Sequence, residues 1–168
     1  MQLREKDLPA AELFPLAEEL RELTRRYNAR LLINDRVDVA LATDADGVHL
    51  GGHSLPVAVA RRLLGADKLI GASTHHVDEI AAAAMDGADF VTFGPVFATP
   101  SKASYGPPLG LNALLKAGTA APLPVIAIGG IKAGHLSLLR SSDIHGIAII
   151  SAVIAAPDPE TAARELLA

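Results

Sequence analysis

Hydroxyl and ammonium side chains follow the apolar run FVTFGPVF in the segment ATPSK. Thr99, Ser101 and Lys102 are groups that bind phosphate oxygens or a departing diphosphate. The stretch ASYGPPLG comes next and is rich in turn formers, which indicates a long loop acting as a mobile lid. The alternative is an ordinary surface loop with no role in binding.

Two glycines follow the apolar run VIAI, at Gly129 and Gly130. Glycines at such a place let backbone N–H groups approach an anion closely. Ile150 and Ser151 end the next apolar run, so a phosphate site formed by two strand ends is favoured. A tight turn that simply needs glycine is the alternative.

The N-terminal sequence QLREK places Gln2, Arg4 and Lys6 at every second position. In an extended strand such side chains point the same way. Two cations directed into a site need an anion, and a diphosphate would meet both. The alternative is an edge strand with a solvated charged face.

Asn34 and Asp35 end the apolar run LLIN. A carboxylate at a strand end can bind Mg²⁺, and an asparagine can bind a ring nitrogen or a phosphate. The alternative role for this pair is to cap the following helix.

Six histidines are present, without the spacing of a zinc site. His75 and His76 follow the run GAST, where one can face a pocket while its neighbour faces away. His75 is counted among the substrate-binding candidates. His49 lies within a strand and is equally well explained as structural. The remaining three, His53, His135 and His145, are predicted to be surface residues.

Seven short apolar runs are predicted as strands: Met1–Arg4, Leu31–Asn34, Gly47–Leu50, Leu69–Ala72, Phe90–Val96, Pro124–Ile128 and Gly146–Ile150. Helical patterns lie between them, at Ala10–Tyr27, Val57–Leu64, His76–Met85, Leu111–Ala117, Gly134–Arg140 and Pro159–Leu167, with a short helix after Asp35. In the first helix, one apolar stripe runs through Leu13, Leu16, Ala17, Leu20 and Leu23. Pro15 predicts that this helix begins near it or bends there.

Strands alternating with helices predict an α/β protein with a parallel sheet, closed as a (β/α) barrel or open and doubly wound. Because nearly every strand delivers polar groups at its carboxyl end, the barrel is favoured. No linker interrupts the pattern, so residues 1–168 are predicted to form one domain.

The composition excludes several classes of protein. The net charge of −4 makes nucleic acid a poor partner, and the absence of cysteine excludes disulfides and thiolate chemistry. No apolar run approaches membrane-spanning length, so no membrane partner is expected and a cytoplasmic location is predicted.

Taken together, seven motifs of the chain resemble the thiamine phosphate synthase family, which includes thiazole tautomerases. They are QLREKDLP, LLINDRVDVAL, DGVHLG, GASTH, GADFVTFGPVFATPSK, PVIAIGGI and GIAIISAV. The resemblance covers nearly the whole chain and implies a (β/α)8 TIM-type barrel. The family's first βα unit is not matched, so seven strands are expected here. An incomplete barrel exposes apolar surface and strand edges, which makes a homo-oligomer plausible.

The resemblance implies a transferase of thiamine biosynthesis that joins hydroxymethylpyrimidine diphosphate to thiazole phosphate and releases diphosphate. It implies that Gln2, Arg4, Lys6 and Asn34 hold the pyrimidine diphosphate, that Asp35 binds Mg²⁺, and that Ser73 and Lys102 contact diphosphate. It further implies that Thr99 and Ser101 hold the thiazole phosphate, within a cup completed by Gly130, Ile150 and Ser151.

Two motifs depart from the synthase pattern. The synthases read HLGQxD, whose aspartate is a second Mg²⁺ ligand, whereas this chain reads HLGGHSLP with Ser54 at that place. A hydroxyl is a poorer Mg²⁺ ligand than a carboxylate, so weaker metal binding is expected. HLGGHSLP is closer to the tautomerases, but some of those carry a histidine where Pro95 stands. A tautomerase using His75 or His76, and a non-catalytic binder of thiazole or thiamine phosphate, are the alternatives.

Overall fold

The computed structural model describes residues 1–100, 102, 106–140 and 142–167. Seven strands lie in these residues: β1 (Gln2–Leu3), β2 (Leu32–Asn34), β3 (Gly47–Leu50), β4 (Leu69–Thr74), β5 (Phe90–Phe93), β6 (Val125–Ile128) and β7 (Gly146–Ala148). The helices are α1 (Ala10–Arg26), α2 (Val37–Ala42), α3 (Val57–Leu64), α4 (Val77–Met85), α5 (Gly110–Ala120), α6 (Leu136–Leu139), α7 (Ser151–Ile154) and α8 (Pro159–Leu167). Strand order follows chain order from β1 to β7.

The chain divides into two compact units. The N-terminal unit comprises residues 1–73 and 83–89, and the C-terminal unit comprises residues 74–82 and 90–168. That the two act as a single domain stays a prediction.

In the N-terminal unit, β1 to β4 pair in parallel, with Leu3 opposite Ile33 and Asn34 opposite His49. Strand residues such as Ile33 and Val48 are fully buried, and they cluster with Leu13 of α1. Burial of each such side chain contributes about 1.5 to 3 kcal/mol. The strand ends are therefore carried on a packed core.

Helix α1 buries most of its predicted stripe, but Leu23 is 40 % exposed and does not belong to it. Thr24, which donates its hydroxyl to the carbonyl of Arg21 at 3.0 Å, is buried in its place. The helix begins at Ala10, directly after Pro9, so the expectation that it starts near Pro15 is wrong.

A half-buried carboxylate connects the amino ends of the strands in this unit. Asp46 Oδ2 accepts the Nη1 hydrogen of Arg21 at 2.6 Å and the N–H of Leu31 at 2.8 Å. Its Oδ1 accepts Nη1 of Arg30 at 3.1 Å. Burial raises the pKa of Asp46, but the N–H of Leu31 and the two guanidinium groups outweigh burial and hold the pKa below its ordinary value.

Arg61 of α3 makes a second anchor at the same ends of the strands. Its guanidinium donates to the carbonyls of Gly65, Lys68 and Gly87 at 2.7 to 3.0 Å. Its Nη2 also reaches the carboxylate of Asp89 at 2.6 Å. The ion pairs thus fix the amino ends of the strands and leave the carboxyl ends to other groups.

In the C-terminal unit, β5, β6 and β7 pair in parallel, with Phe93 opposite Ala127. Phe93 and Val125 are buried, and α5 covers the strands with Leu114 and Ala117. These residues form the core that supports the strand ends of this unit.

The seven predicted strands are confirmed, but three of them end earlier than predicted and β4 continues two residues further, to Thr74. β1 ends at Leu3, β5 at Phe93 and β7 at Ala148. β5 stops where the chain reaches Gly94–Pro95, because proline has no N–H to continue the ladder. The helix predicted at Gly134–Arg140 is a 3₁₀ turn at Ala133–His135 followed by the short α6, and α7 was not predicted. Within the described residues, the helices are too short or too polar to cross a membrane.

Candidate functional site

Four polar side chains form a connected cluster at the carboxyl ends of the first strands. We call Gln2, Asn34, Asp35 and Ser54 the amide–carboxylate cluster. Gln2 Nε2 donates to Asn34 Oδ1 at 3.1 Å, and Asn34 Nδ2 donates to Asp35 Oδ2 at 2.8 Å. The cluster follows from the parallel pairing of β1 and β2, which brings Gln2 and Asn34 to the same end of the sheet.

Ser54 completes the cluster from the loop between β3 and α3. Its hydroxyl donates to Asp35 Oδ1 in a short hydrogen bond and accepts the N–H of Gly51 at 2.6 Å. The Ser54 N–H in turn donates to the carbonyl of Gly51 at 3.0 Å. Each oxygen of the Asp35 carboxylate therefore accepts one side-chain hydrogen bond.

Asp35 does not cap the helix that follows it. It has a φ of 62°, in the left-handed region where aspartate is tolerated better than most residues. The residue at the start of α2 is Arg36, and no side chain caps that helix end. The capping alternative for Asn34 and Asp35 is therefore wrong, and the carboxylate stays with the cluster.

His49 lies beside the cluster and is buried, with 6 % of its surface exposed. Burial lowers its pKa to about 4, the nearby charge of Arg4 acts in the same direction, and Asp35 opposes both. The imidazole is accordingly neutral near pH 7. The sequence did not decide whether His49 is structural or part of a site, and the structure shows that the residue is buried.

Arg4 and Lys6 are exposed and lie beyond the end of β1. The prediction of one strand carrying Gln2, Arg4 and Lys6 in phase is wrong past Leu3, because β1 contains only two residues. The positive charge of Arg4 nevertheless acts on His49, where it lowers the pKa of the imidazole. Ser73 is half-buried near the end of β4.

The oxygen groups around Asp35 suit a hard divalent cation. A carboxylate and a hydroxyl are ligands that Mg²⁺ accepts, and Mg²⁺ commonly uses only one or two carboxylates together with substrate phosphates. The described residues contain no group of three or more acidic or histidine side chains that could enclose a metal. The residues present therefore fit a cation shared with a substrate, and not a closed metal cage.

In the C-terminal unit, His75 is held from two sides at the start of α4. Its Nδ1 lies 2.7 Å from the carbonyl oxygen of Gly94, and because a carbonyl oxygen only accepts, Nδ1 is the donor. Its backbone N–H and that of His76 donate to Glu79 Oε2 at 2.6 and 3.3 Å. The predicted helix start at His76 is shifted to Val77.

The segment that follows β5 is attached to β6 through its backbone. Val96 N–H donates to the carbonyl of Ile128 at 2.9 Å, and Phe97 N–H donates to that of Gly129 at 3.0 Å. The segment closes on itself as well, because Leu109 N–H donates to the carbonyl of Pro95 at 2.8 Å. These bonds fix where the chain leaves the strand and where it enters α5.

Gly129 and Gly130 form a turn, here called the glycine turn, that lies directly against this segment. Their φ values are 96° and 66°, which favour glycine. A Cβ at Gly129 would lie 2.6 Å from Pro95, and one at Gly130 would lie 2.5 Å from the carbonyl oxygen of Ala98. Both glycines are thus required by the turn itself and by close approach.

A ring stack adds to the attachment of the segment. Phe97 and His135 are parallel within 18°, with centroids 3.8 Å apart, and His135 Nδ1 accepts the N–H of Lys132 at 3.2 Å. His135, predicted as a surface residue, is half-buried in this stack. The only hint of this contact in the sequence is weak: His135 follows Gly130 by five residues. His53 and His145 are exposed, as predicted.

The predicted phosphate ligands of this unit lie beyond the stack or after β7. Thr99 is half-buried and Lys102 is exposed, and the N–H of Lys102 donates to the Thr99 carbonyl at 3.1 Å. Ser101 lies outside the described residues, as do Ala103, Ser104 and Tyr105 of the predicted lid. Ile150 precedes α7 and is 61 % exposed, and Ser151 begins that helix.

Comparison with known proteins gives consistent matches across the chain. A family model described as thiamine monophosphate synthase matches residues 1–153. A protein of Geobacter sulfurreducens named putative thiamine-phosphate synthase is 55 % identical over 168 residues, which are 100 % of this chain and 79 % of that protein. A thiamine-phosphate synthase of Roseiflexus castenholzii is 47 % identical over 166 residues, covering 99 % of this chain and 73 % of that protein.

A solved structure gives the same result for the fold. The thiamine phosphate pyrophosphorylase of Pyrococcus furiosus superposes with a TM-score of 0.91 at 40 % identity, over 99 % of this chain and 79 % of that one. The predicted α/β fold of the TIM-barrel type, with seven strands in this chain, is confirmed.

Proposed function

The chain belongs to the thiamine monophosphate synthase family, and from that premise we propose that it is a transferase of thiamine biosynthesis. Its substrates are hydroxymethylpyrimidine diphosphate and thiazole phosphate. Its products are thiamine phosphate and diphosphate. The observation that carries this proposal is the family match over residues 1–153, within which the candidate site residues lie.

The reaction exchanges one bond for another at the methylene carbon of the pyrimidine. The bond from this carbon to the diphosphate oxygen breaks, and its electron pair leaves with diphosphate. The lone pair of the thiazole nitrogen then forms the new carbon–nitrogen bond, so no oxidant or reductant is needed. The protein has to neutralise charge that develops on the leaving group and to align two bound reactants.

The N-terminal unit supplies groups for the pyrimidine diphosphate. We assign Gln2 and Asn34 to its polar edge, since their amides are already oriented by hydrogen bonds within the amide–carboxylate cluster. Arg4 and Lys6 are assigned to the diphosphate, for which their exposure leaves access. Pre-oriented amides would lower the entropic cost of substrate binding.

Asp35 is the residue that would hold Mg²⁺. A bound Mg²⁺ would supply positive charge to the oxygens of the departing diphosphate. The neutral His49 beside Asp35 adds no competing positive charge near pH 7. Ser73 is assigned to the diphosphate.

The C-terminal unit carries the residues assigned to the thiazole phosphate and one further residue assigned to the diphosphate. Thr99 and Ser101 are assigned to the thiazole phosphate, with the glycine turn, Ile150 and Ser151 as its cup. Lys102 is assigned to the diphosphate as a point charge. The close backbone contact between the glycine turn and the segment before Thr99 supports treating them as one binding element. A cytoplasmic location and a homo-oligomeric state stay predictions.

The experiment is a turnover assay of the purified chain with both substrates and Mg²⁺, with thiamine phosphate measured by chromatography. We expect product with the unmodified protein and a loss of at least about tenfold in kcat/KM for Lys102→Ala, equal to 1.4 kcal/mol of transition-state stabilisation. Lys116→Ala, at an exposed position of α5, is the matched control and should leave the rate unchanged.

Two results would overturn the proposal. Isomerisation of a thiazole carboxylate phosphate without synthase turnover would identify a tautomerase, for which Nε2 of His75 would be the acid/base group, since Nδ1 contacts the carbonyl of Gly94. Binding of thiazole or thiamine phosphate without either reaction would identify a non-catalytic binder.

A further inference from the structure

Ser54 contributes one interaction that the sequence did not suggest. In the sequence HLGGHSLP, Ser54 stands at the position where the synthases have a metal-binding aspartate. In the structure its hydroxyl donates to Asp35 Oδ1, while Asn34 donates to Oδ2 of the same carboxylate. Donors on both sides define the plane of the Asp35 carboxylate and restrict its rotation.

The donor itself is fixed by the backbone. Ser54 Oγ accepts the N–H of Gly51 at 2.6 Å, and this bond uses one lone pair and directs the hydroxyl hydrogen to the carboxylate. Asn34 is in turn oriented by Gln2. The Asp35 carboxylate is therefore held by two chains of hydrogen bonds, one from β1 and one from the loop after β3.

The same arrangement limits the negative charge available to a free cation. Asp35 is the only carboxylate in the cluster, and the positive charge of Arg4 is close enough to lower the pKa of His49. A free divalent cation at Asp35 would leave excess positive charge there. A cation that arrives with diphosphate brings its own negative charge, which Arg4 then attracts.

We propose that Ser54 is a positioning residue for Asp35, and that this chain takes its divalent cation together with diphosphate and not as the free ion. This inference rests on the proposed function, since it assigns the cation to the diphosphate of that reaction. The synthases have a second carboxylate at the position of Ser54. Ser54 adds no negative charge there, but its hydrogen bond orients the carboxylate of Asp35.

The test measures cation binding without turnover. Mn²⁺, as a paramagnetic substitute for Mg²⁺, is brought to dialysis equilibrium with the full chain, once alone and once with inorganic diphosphate on both sides of the membrane. Because diphosphate itself binds Mn²⁺ in solution, only the excess Mn²⁺ on the protein side is counted as bound, and it is measured by electron paramagnetic resonance after release with acid. We expect binding to be at least about tenfold tighter with diphosphate, a coupling of 1.4 kcal/mol. Equal affinity in the two titrations would overturn the inference, and this comparison needs no variant.

Three variants separate positioning from simple packing. Ser54→Ala removes a hydrogen bond to a charged group and should weaken Mn²⁺–diphosphate binding by about tenfold. Ser54→Thr keeps the hydroxyl and should restore most of the affinity. Ser54→Asp should strengthen binding of Mn²⁺ alone and so reduce the effect of diphosphate. Ser137→Ala, an exposed serine of α6, is the control.

Unchanged Mn²⁺–diphosphate affinity in Ser54→Ala would show that Ser54 does not position Asp35. Failure of the inference and failure of the proposed function are distinguishable, because the titrations involve no pyrimidine or thiazole. Thiamine phosphate formation with no cation–diphosphate coupling would refute the inference alone. Coupling without any thiamine phosphate formation would refute the proposed reaction alone.

Discussion

Substitution of Gly130 by alanine should uncouple the glycine turn from the segment that follows β5. The φ of 66° costs an L-residue about 1 to 2 kcal/mol. The added Cβ would also lie 2.5 Å from the carbonyl oxygen of Ala98 and 2.6 Å from that of Phe97, where ordinary contact begins at 3.4 Å. The backbone must therefore retreat by about 0.9 Å, the difference between 3.4 and 2.5 Å.

A shift of this size acts on the nearest hydrogen bond between the two elements. The N–H of Phe97 donates to the carbonyl of Gly129 at 3.0 Å, and its loss costs about 1 kcal/mol. With the conformational cost, we expect Gly130→Ala to lower the free energy of unfolding by about 2 to 3 kcal/mol. For a chain of this size that corresponds to a fall in Tm of roughly 4 to 12 °C.

If Thr99 binds thiazole phosphate as proposed, the affinity for that ligand should fall as well, by about tenfold, because Thr99 follows the displaced carbonyls directly. Scanning fluorimetry gives Tm, and isothermal titration calorimetry gives Kd. Gly134→Ala is the matched control, since a Cβ there meets no atom within 4 Å. If both alanine variants behave like the unmodified protein, the coupling of turn and segment is refuted.

Two further predictions concern the anchors at the amino ends of the strands. Asp46→Asn should lower the free energy of unfolding, measured in urea at pH 7, by about 2 kcal/mol or more, because Arg21 and the N–H of Leu31 lose a charged acceptor. The folded pKa of Asp46 is lowered, so its stabilisation is present above pH 3.8 and disappears as the pH falls through the folded pKa. A difference in stability between the two proteins that does not shrink as the pH falls below 3.8 would contradict this. Arg61→Lys keeps the positive charge but removes the guanidinium that donates to three carbonyls, so we expect the free energy of unfolding to fall by about 2 kcal/mol. The control is Arg62→Lys at the exposed neighbouring position, which should leave the free energy of unfolding unchanged. Equal midpoints in urea for these two variants would show that the carbonyl contacts do not matter.

The order and type of the main elements could be predicted from the sequence because each strand is a short apolar run between turn formers. Their ends were harder to predict. β1 stops at Leu3 although the period of two continues through Lys6, because strand length depends on pairing with β2, which a single run of residues does not encode. The four-residue helix α7 gives too short a pattern to be recognised.

For the candidate site, residue types were predictable but contacts were not. The sequence placed Asn34 and Asp35 at a strand end, yet left a capping role open, since both roles use the same side chains. The bond from Ser54 spans 19 residues, and the stack of Phe97 on His135 spans 38. Interactions at such separations depend on how the strands pair, and local patterns carry no signal for them.

The hydrogen bond from the N–H of Leu109 to the carbonyl of Pro95 brings the start of α5 close to the end of β5. The distance between the two ends of this loop is fixed by that bond, so it does not depend on how many residues lie between Pro95 and Leu109. The entropic cost of lengthening a closed loop grows only logarithmically, by about 0.6 kcal/mol for each doubling. Insertion of residues between these two positions should therefore cost little stability and leave the pairing of β5 with β6 unchanged.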